Sequence, residues 1–177
     1  MTVTDAPPLE VGSPRQRKED QHLITGRTRW TDNITLPGML HLAMVRSPFA
    51  HAKVTSIDTA AAKDSPGVIA VLTGQDIKDE QGPGLPNAWP VKPDQKAPPH
   101  PAMAIDSVNF AGEIVAAVVA RTAAEARDAV ELVDVEYDEL PVVLDLAAAA
   151  ADEQVVYPDL GTNVSAQWVL DSAEAGT

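Results

Sequence analysis

The stretch most suggestive of chemistry is Arg46 to Ala52, which reads "RSPFAHA" and brings an arginine, a serine and a histidine close together in the chain. Nucleophilic catalysis needs a serine beside a histidine that a carboxylate orients. Ser47 and His51 are four residues apart, which separates them by about 13 Å in an extended chain. Pro48 can bend the chain and shorten that distance, but no glycine-flanked nucleophile elbow is present. The stretch therefore indicates a strand, a bend and a second strand, with Arg46 and His51 positioning backbone and neighbours.

The spacing of the residues also gives little support for metal binding, acid–base catalysis or phosphate binding. The four histidines, His22, His41, His51 and His100, do not form a recognisable pair of metal ligands. The acidic residues of "VEYDEL" could form a general acid and base, but alternation on an exposed strand face explains them more simply. The glycines of "GQDIKDEQGPG" are not arranged as a phosphate-binding turn. We predict no catalytic, cofactor-binding or metal-binding residue in this chain.

The composition of the chain further limits the kinds of site and the class of protein that are possible. The chain has 177 residues, of which 45% are hydrophobic, enough for one domain with a substantial core. It contains no cysteine, which excludes disulfides, thiolate zinc sites and cysteine-ligated iron–sulfur clusters. No apolar run has the length of a signal peptide or a membrane span, so we expect a cytoplasmic protein.

Charge is distributed unevenly along the chain. All 13 lysines and arginines occur at or before Arg127, whereas residues 128–177 hold 12 acidic residues and no basic one, which accounts for most of the net charge of −13. Nucleic-acid binding needs a basic surface, so we expect no nucleic-acid partner. The acidic end is either a solvated face or a docking surface for a basic partner.

The first half of the chain predicts an extended arm followed by alternating elements. Residues 1–22 lack helix or strand periodicity and are interpreted as the arm. "LHLAMVRS" places Leu40, Leu42 and Met44 on one side of a strand, and "AHAKVTSI" continues as a second strand. "DTAAAKDSPG" is typical of a short helix with Asp58 as its N-cap, and "VIAVL" of a fully buried strand. This order suggests a strand–helix–strand crossover.

The second half begins with a loop that contains seven of the fifteen prolines, between Gln81 and Pro101, with Trp89 either an interface anchor or folded back on its own domain. "EIVAAVVA" predicts a second buried strand, and Thr122 and Glu125 have the spacing of a capping box for the next helix. "VDVEYDEL" alternates apolar and acidic residues, and "DLAAAAADEQ" favours a last short helix. The residues alone thus predict an α+β domain.

Several motifs occur together in the order and at the spacing of a known family. They are "TGRTRWTDNI", "LPGM", "VRSPFAHA", "IDTAAA", "PGVIAVLTGQDI" and "AGEIVAAVVA". Between about Val11 and Leu146 the sequence closely resembles the α/β hammerhead domain at the start of the large subunit of molybdenum hydroxylases, the family of xanthine dehydrogenase, aldehyde oxidase and carbon monoxide dehydrogenase. Trp30 stands where the family usually has Tyr or Phe, an exchange expected to keep the core filled.

The resemblance implies a mixed sheet with short helices and a long Pro-rich loop. It divides the chain into an arm (1–22), a hammerhead domain (23–147) and an acidic segment (148–177) that leads toward molybdopterin-binding domains. It gives structural rather than catalytic roles to one set of residues: Gly26, Trp30, Asp32, Arg46, Ser47, Pro48, His51, Gly112 and Glu113.

The resemblance also implies a function for the complete enzyme. The reaction would be oxidative hydroxylation of an aldehyde, an N-heterocycle or carbon monoxide, with molybdopterin, iron–sulfur clusters and FAD as cofactors. The partners would be the cofactor-binding domains of the large subunit and the iron–sulfur and flavin subunits. This chain alone is expected to bind none of these cofactors and to be inactive. The alternative is a free-standing, non-catalytic assembly or interaction module with the same fold.

Overall fold

The structure is a computed structural model and describes residues 17–82, 84–86 and 93–167. The chain forms two compact units, Met1–Met39 and Leu40–Thr177. Trp89 lies outside the described residues, so its two interpretations remain predictions, as do the domain limits after residues 22 and 147.

Residues 17–39, the part of the first unit that the structure describes, contain one short helix and one helical turn. Helix α1 spans Asp20–Ile24, and a 3₁₀ turn spans Thr31–Asn33. The side chain of Asp20 accepts a hydrogen bond from the Arg17 N–H at 3.0 Å, a favourable position for a carboxylate at a helix N-terminus. The prediction of an extended arm is therefore wrong for residues 20–22, which belong to a helix of five residues that is too short to show periodicity in the sequence.

The described part of the second unit contains six strands and three helices. The strands are β1 (His41–Arg46), β2 (Ala52–Asp58), β3 (Val68–Thr73), β4 (Ser107–Val108), β5 (Ile114–Ala120) and β6 (Asp134–Glu139). The helices are α2 (Ala60–Lys63), α3 (Ala123–Val130) and α4 (Leu146–Ala150), and a 3₁₀ turn covers Pro158–Leu160. The predicted α+β class with short helices is confirmed.

The strands form two three-stranded sheets. Sheet I has the order β1-β5-β3 and sheet II the order β4-β2-β6. All pairs within them are antiparallel, and an isolated parallel bridge joins Gly84 and His100. The predicted crossover is wrong: β2 and β3 flank a helix in sequence but belong to different sheets.

Sheet I is built around β5, whose sequence "IVAAVVA" is apolar throughout. Helix α3 packs on one face of this sheet through Ala126 and Ala129, and both are fully buried. Alanine allows a close approach of helix and sheet because it projects only a methyl group. The predicted capping box is confirmed: the Glu125 N–H donates to Thr122 Oγ1 at 3.2 Å, and the Thr122 N–H donates to Glu125 Oε2 at 2.9 Å.

Sheet II buries one face only. In β6, Val135 and Tyr137 are partly buried, while Asp134, Glu136 and Asp138 are exposed, as the alternation predicted. On the exposed face Asp138 lies opposite Lys53 of β2. Ser56 Oγ donates to Glu136 Oε2 at 2.8 Å.

The Pro-rich stretch is irregular in its described residues, as predicted. The side chain of Gln81 connects the two ends of this stretch. Gln81 Nε2 donates to the Gly74 carbonyl at 3.1 Å, and Gln81 Oε1 accepts from the Met103 N–H at 2.9 Å. One side chain thus closes a loop between residues 22 positions apart in sequence.

In β1, Val45 is buried, whereas Leu42 on the other side of the strand is 56% exposed. Two further predictions were wrong in detail. β3 is an edge strand, with Ile69 50% exposed rather than buried. The N-cap of α2 is Thr59, although Asp58 Oδ1 does accept the Ala60 N–H at 2.9 Å.

A β-bulge interrupts the pairing of β1 with β5. Val45 pairs with Ala116 and Arg46 with Ile114, so Val115 is an additional residue on β5. Val115 and Ala116 are consecutive, yet both are fully buried in the same core cluster. The extra residue changes the direction of the start of β5, next to Gly112 and Glu113.

Candidate functional site at the strand corner

The corner where β1 ends and β5 begins is held by main-chain hydrogen bonds. The Ser47 N–H donates to the Glu113 carbonyl at 2.9 Å, and the Gly112 N–H donates to the Ser47 carbonyl at 2.8 Å. Arg46 Nη1 donates to the Gly112 carbonyl at 2.8 Å, across 66 residues of sequence. Gly112 has a φ of +87°, a conformation that glycine adopts without strain.

Ser47 is not available as a nucleophile in this arrangement. Its hydroxyl is 3.0 Å from both the N–H and the carbonyl of Phe49, so it closes a turn around Pro48. Ser47 is 3% exposed. The structure brings Ser47 and His51 into one corner, but it assigns their side chains to different backbone partners.

His51 fastens the start of β2 to the segment that follows β6. Its Nδ1 is 2.7 Å from the Pro141 carbonyl oxygen, and the Leu140 N–H donates to the His51 carbonyl at 3.0 Å. Because a carbonyl only accepts, Nδ1 carries the proton and Nε2 of the neutral ring is an acceptor.

Glu113 is a buried carboxyl group beside the same corner. It is 6% exposed, and its Oε2 accepts the Asn109 N–H at 2.6 Å. Burial raises the pKa of Glu113 above its ordinary value, while the backbone N–H groups of Asn109 and Phe110 and the nearby His100 act in the opposite direction. An acid in such surroundings is more easily protonated than an exposed one.

Gly26, Trp30 and Asp32 belong to the first unit. Gly26 has a φ of +66° after α1. The Trp30 N–H donates to Asn33 Oδ1 at 3.2 Å and so starts the 3₁₀ turn that contains Asp32. The Trp30 side chain is 61% exposed, so the expectation that it fills a core is wrong for the residues that the structure describes.

His51 and Glu113 also line a groove of about 600 Å³ in the second unit. Its wall includes Tyr157 and Pro158 of the C-terminal segment and Leu140 after β6. Burial raises the pKa of the Tyr157 hydroxyl, and the negative charge of Glu113 raises it further. Sequence reasoning missed Tyr157, whose only signal was an aromatic residue before a proline in an irregular tail.

Within residues 17–82, 84–86 and 93–167, no group of three or more histidine, aspartate or glutamate side chains is arranged to hold a metal ion. In the same part of the chain, no helix has the length and apolar character needed to cross a membrane.

Comparison with known proteins identifies the family. Residues 25–141 match the model of the aldehyde oxidase and xanthine dehydrogenase a/b hammerhead domain. This chain therefore belongs to that family. The predicted resemblance to molybdenum hydroxylase large subunits is confirmed.

Two curated relatives show how much of a longer protein the match covers. The chain is 41% identical over 143 residues to the nicotine 6-hydroxylase large subunit of Paenarthrobacter nicotinovorans, which covers 79% of this chain and 17% of the relative. It is also 41% identical over 149 residues to the carbon monoxide dehydrogenase large chain of Hydrogenophaga pseudoflava, covering 84% and 18%. The chain thus spans less than a fifth of these relatives.

Solved structures agree with this assignment. Quinoline 2-oxidoreductase from Pseudomonas putida 86 superposes with a TM-score of 0.71 at 43% identity, over 82% of this chain and 18% of that one. A Cu,Mo-CO dehydrogenase superposes with a TM-score of 0.65 at 40% identity, over 78% and 17%. The fold and the sequence thus agree with the family assignment.

Proposed function

We propose that this chain is the N-terminal structural and assembly domain of the large subunit of a molybdopterin-dependent hydroxylase. The complete enzyme would oxidise an aldehyde, an N-heterocycle or carbon monoxide in the cytoplasm. Its other parts would be the cofactor-binding domains of the large subunit and the iron–sulfur and flavin subunits. The chain itself would carry no catalytic residue.

The observation that carries this proposal is the use of the corner side chains. Arg46, Ser47 and His51 each bond a main-chain group of another segment or turn. Such bonds fix the path of the backbone, which is what a scaffold requires, and the hydroxyl group that a catalytic serine would need is bonded to the backbone of Phe49. The match of residues 25–141 to the hammerhead family supports the same role.

The residues of this chain do not fit two of the cofactors that the family implies. Iron–sulfur clusters are held by cysteine thiolates, and the chain has no cysteine. A dinucleotide such as FAD is commonly held by a glycine-rich turn between strand and helix, and the turn between β5 and α3, which reads "RT", contains no glycine. No step of the oxidation is therefore assigned to residues of this chain.

Reconstitution tests the proposal. The chain is purified alone and assayed for molybdenum, for pterin and for dye-linked oxidation of aldehydes, xanthine and carbon monoxide. The assays are then repeated after addition of the remaining large-subunit polypeptide and the other subunits from the same organism. We expect no metal or turnover in the chain alone and activity only in the mixture that includes it.

Two outcomes argue against this function. Stoichiometric molybdenum or turnover in the isolated chain would show that it is catalytic. Equal activity of the mixture with and without the chain would instead favour the free-standing interaction module. A mixture that contains the chain with Arg46→Ala serves as the control for the corner, and the variant with Lys78→Ala, a charge-matched change at an exposed turn, serves as its reference.

A further inference from the structure

The short strand β4 leaves one of its edges unpaired. It pairs with β2 through Val108 opposite Ala52 and Ser107 opposite Lys53, and the Val54 N–H donates to the Asp106 carbonyl at 3.0 Å. In an antiparallel ladder, backbone groups point alternately toward and away from the neighbouring strand. Since Asp106 bonds β2, the N–H and carbonyl of Ser107 point away from it. Ser107 lines the groove, so this edge opens into it.

Two hydrogen-bond acceptors, on side chains of largely buried residues, reach the same groove. The Glu113 carboxylate accepts the Asn109 N–H and so lies just past the end of β4. His51 donates its Nδ1 proton to Pro141, which leaves Nε2 as an acceptor, and in the described part of the chain Nε2 has no partner. Both residues are more than nine-tenths buried. A ligand that fits the groove must therefore supply hydrogen-bond donors.

The remaining wall is largely apolar and its charge is negative. Its aliphatic and proline residues are Pro99, Pro101, Ile105, Leu140, Pro141, Val155, Val156, Pro158 and Leu160. Three acidic residues, Asp106, Glu113 and Asp159, and one basic residue, Lys53, line the groove. Lys53 of β2 is paired with Asp138 of the neighbouring strand β6. The groove is thus complementary to an apolar group that carries a positive charge.

We propose that the groove binds an extended polypeptide strand, which pairs with the open edge of β4 and places an aliphatic side chain on the apolar wall and a lysine or arginine beside Glu113. Strand addition to an exposed edge obtains affinity from main-chain hydrogen bonds and specificity from the pockets that receive alternate side chains. The net charge of −13 favours the approach of such a basic segment. This inference concerns the ligand of the groove and stands whether or not the chain is part of a hydroxylase.

The edge of β4 favours a polypeptide over a small apolar cation. A small molecule would satisfy Glu113 and His51 but would leave the N–H and carbonyl of Ser107 without a strand to pair with. A strand satisfies the carboxylate and the edge together, because its side chains alternate while its backbone bonds β4.

Peptide titration of the full chain tests this proposal. The probe is an acetylated, amidated pentapeptide that alternates valine with arginine, and the reference replaces arginine by glutamate. Affinity is measured by calorimetry, and the site is mapped by amide shifts in ¹H–¹⁵N spectra. We expect the arginine peptide to bind at least about tenfold more tightly than the glutamate peptide, with the largest shifts at Ser107, Asn109, Leu140 and Tyr157.

Two sets of controls separate the parts of the proposal. Glu113→Gln should weaken the arginine peptide about tenfold, whereas Glu136→Gln on the exposed face of sheet II should leave its affinity unchanged. Two arginine peptides N-methylated at alternate residues should differ, because only one of them blocks the N–H groups that face β4. Circular dichroism confirms that both variants are folded.

The negative results are equally definite. Undetectable binding of the arginine peptide at millimolar concentration, equal affinity of the arginine and glutamate peptides, or shifts outside the groove would overturn the proposal. Equal binding of both N-methylated peptides and the parent would show a side-chain site without strand addition, which also contradicts it. If Glu113→Gln unfolds, the peptide comparisons on the unmodified chain still decide.

Discussion

Sheets I and II have the same number of strands and the same antiparallel pairing but differ in how their central strands are covered. In β5 of sheet I, five of seven residues are buried, whereas β2 of sheet II has one buried residue out of seven. The cause is visible in the sequence. The strand "IVAAVVA" has no polar residue, whereas four of the seven residues of "AKVTSID" are polar. We infer that sheet I determines the stability of the unit, and that sheet II and its edges are open for interactions.

From this comparison we expect the largest loss of stability from a substitution at Gly74, which follows β3 of sheet I. A Cβ added there would overlap the backbone carbonyl of Ala104, which cannot move without displacing the chain next to β4. We expect Gly74→Ala to lower the free energy of unfolding by about 3 kcal/mol, measured by urea denaturation.

Gly112 at the corner is the matched control for this substitution. A Cβ at Gly112 meets no atom within 4 Å, and only its φ of +87° opposes a side chain, so Gly112→Ala should cost about 1 kcal/mol. Equal losses at Gly74 and Gly112 would contradict the close approach at Gly74.

The second prediction compares the sheets directly. Val118 is fully buried in β5, whereas Val54 of β2 is only partly buried. Val118→Ala should destabilise the protein by about 2 kcal/mol and Val54→Ala by about half as much, in the same denaturation experiment. A larger loss from Val54→Ala would reverse the roles that we assign to the two sheets.

The third prediction concerns the corner at the start of sheet II. His51→Ala leaves the Pro141 carbonyl without its partner and should cost about 1.5 kcal/mol. In the complete hydroxylase that we propose, turnover normalised to bound molybdenum should stay near that of the wild type if His51 has the structural role proposed for it. A thousandfold loss of turnover at full metal occupancy would instead show that His51 takes part in the reaction.

The smallest effect is a pH dependence at Glu113. Its pKa is raised in the folded state, so its contribution to stability is fully present below the unfolded value of about 4.3 and is lost as the pH rises through the folded value. Relative to Glu113→Gln, the wild type should therefore lose stability as the pH rises above the unfolded value. Parallel pH profiles of the two proteins would show that burial does not perturb this carboxyl group.

Local signals in the sequence were sufficient for some elements. The capping box of Thr122 and Glu125 located α3, and the apolar run of β5 marked a buried strand, because hydrogen bonding and burial there follow from neighbouring residues. The run "VIAVL" was wrongly predicted to be fully buried, because an apolar run does not show whether a strand is central or at an edge. β3 is an edge strand. Similarly, nothing local shows that β2 and β3 belong to different sheets.

The corner was only partly predictable. The bend at Pro48 and the structural use of Ser47 follow from the sequence of that turn. The contacts of Arg46 with Gly112 and of His51 with Pro141 join residues 66 and 90 positions apart, and they depend on the register between strands. Tyr157 was missed because its position in the groove depends on how an irregular segment folds back.

The bulge at Val115 makes the number of residues in this stretch as important as their identity. Exchanging Val115 for isoleucine would keep the bulge. Losing this one residue would leave Ala116 opposite Val45 and Ile114 opposite Arg46, but it would remove the bend and added twist that a bulge gives its strand. The corner where Arg46 bonds the Gly112 carbonyl would then point in a different direction, so a deletion here should disturb the corner more than a substitution.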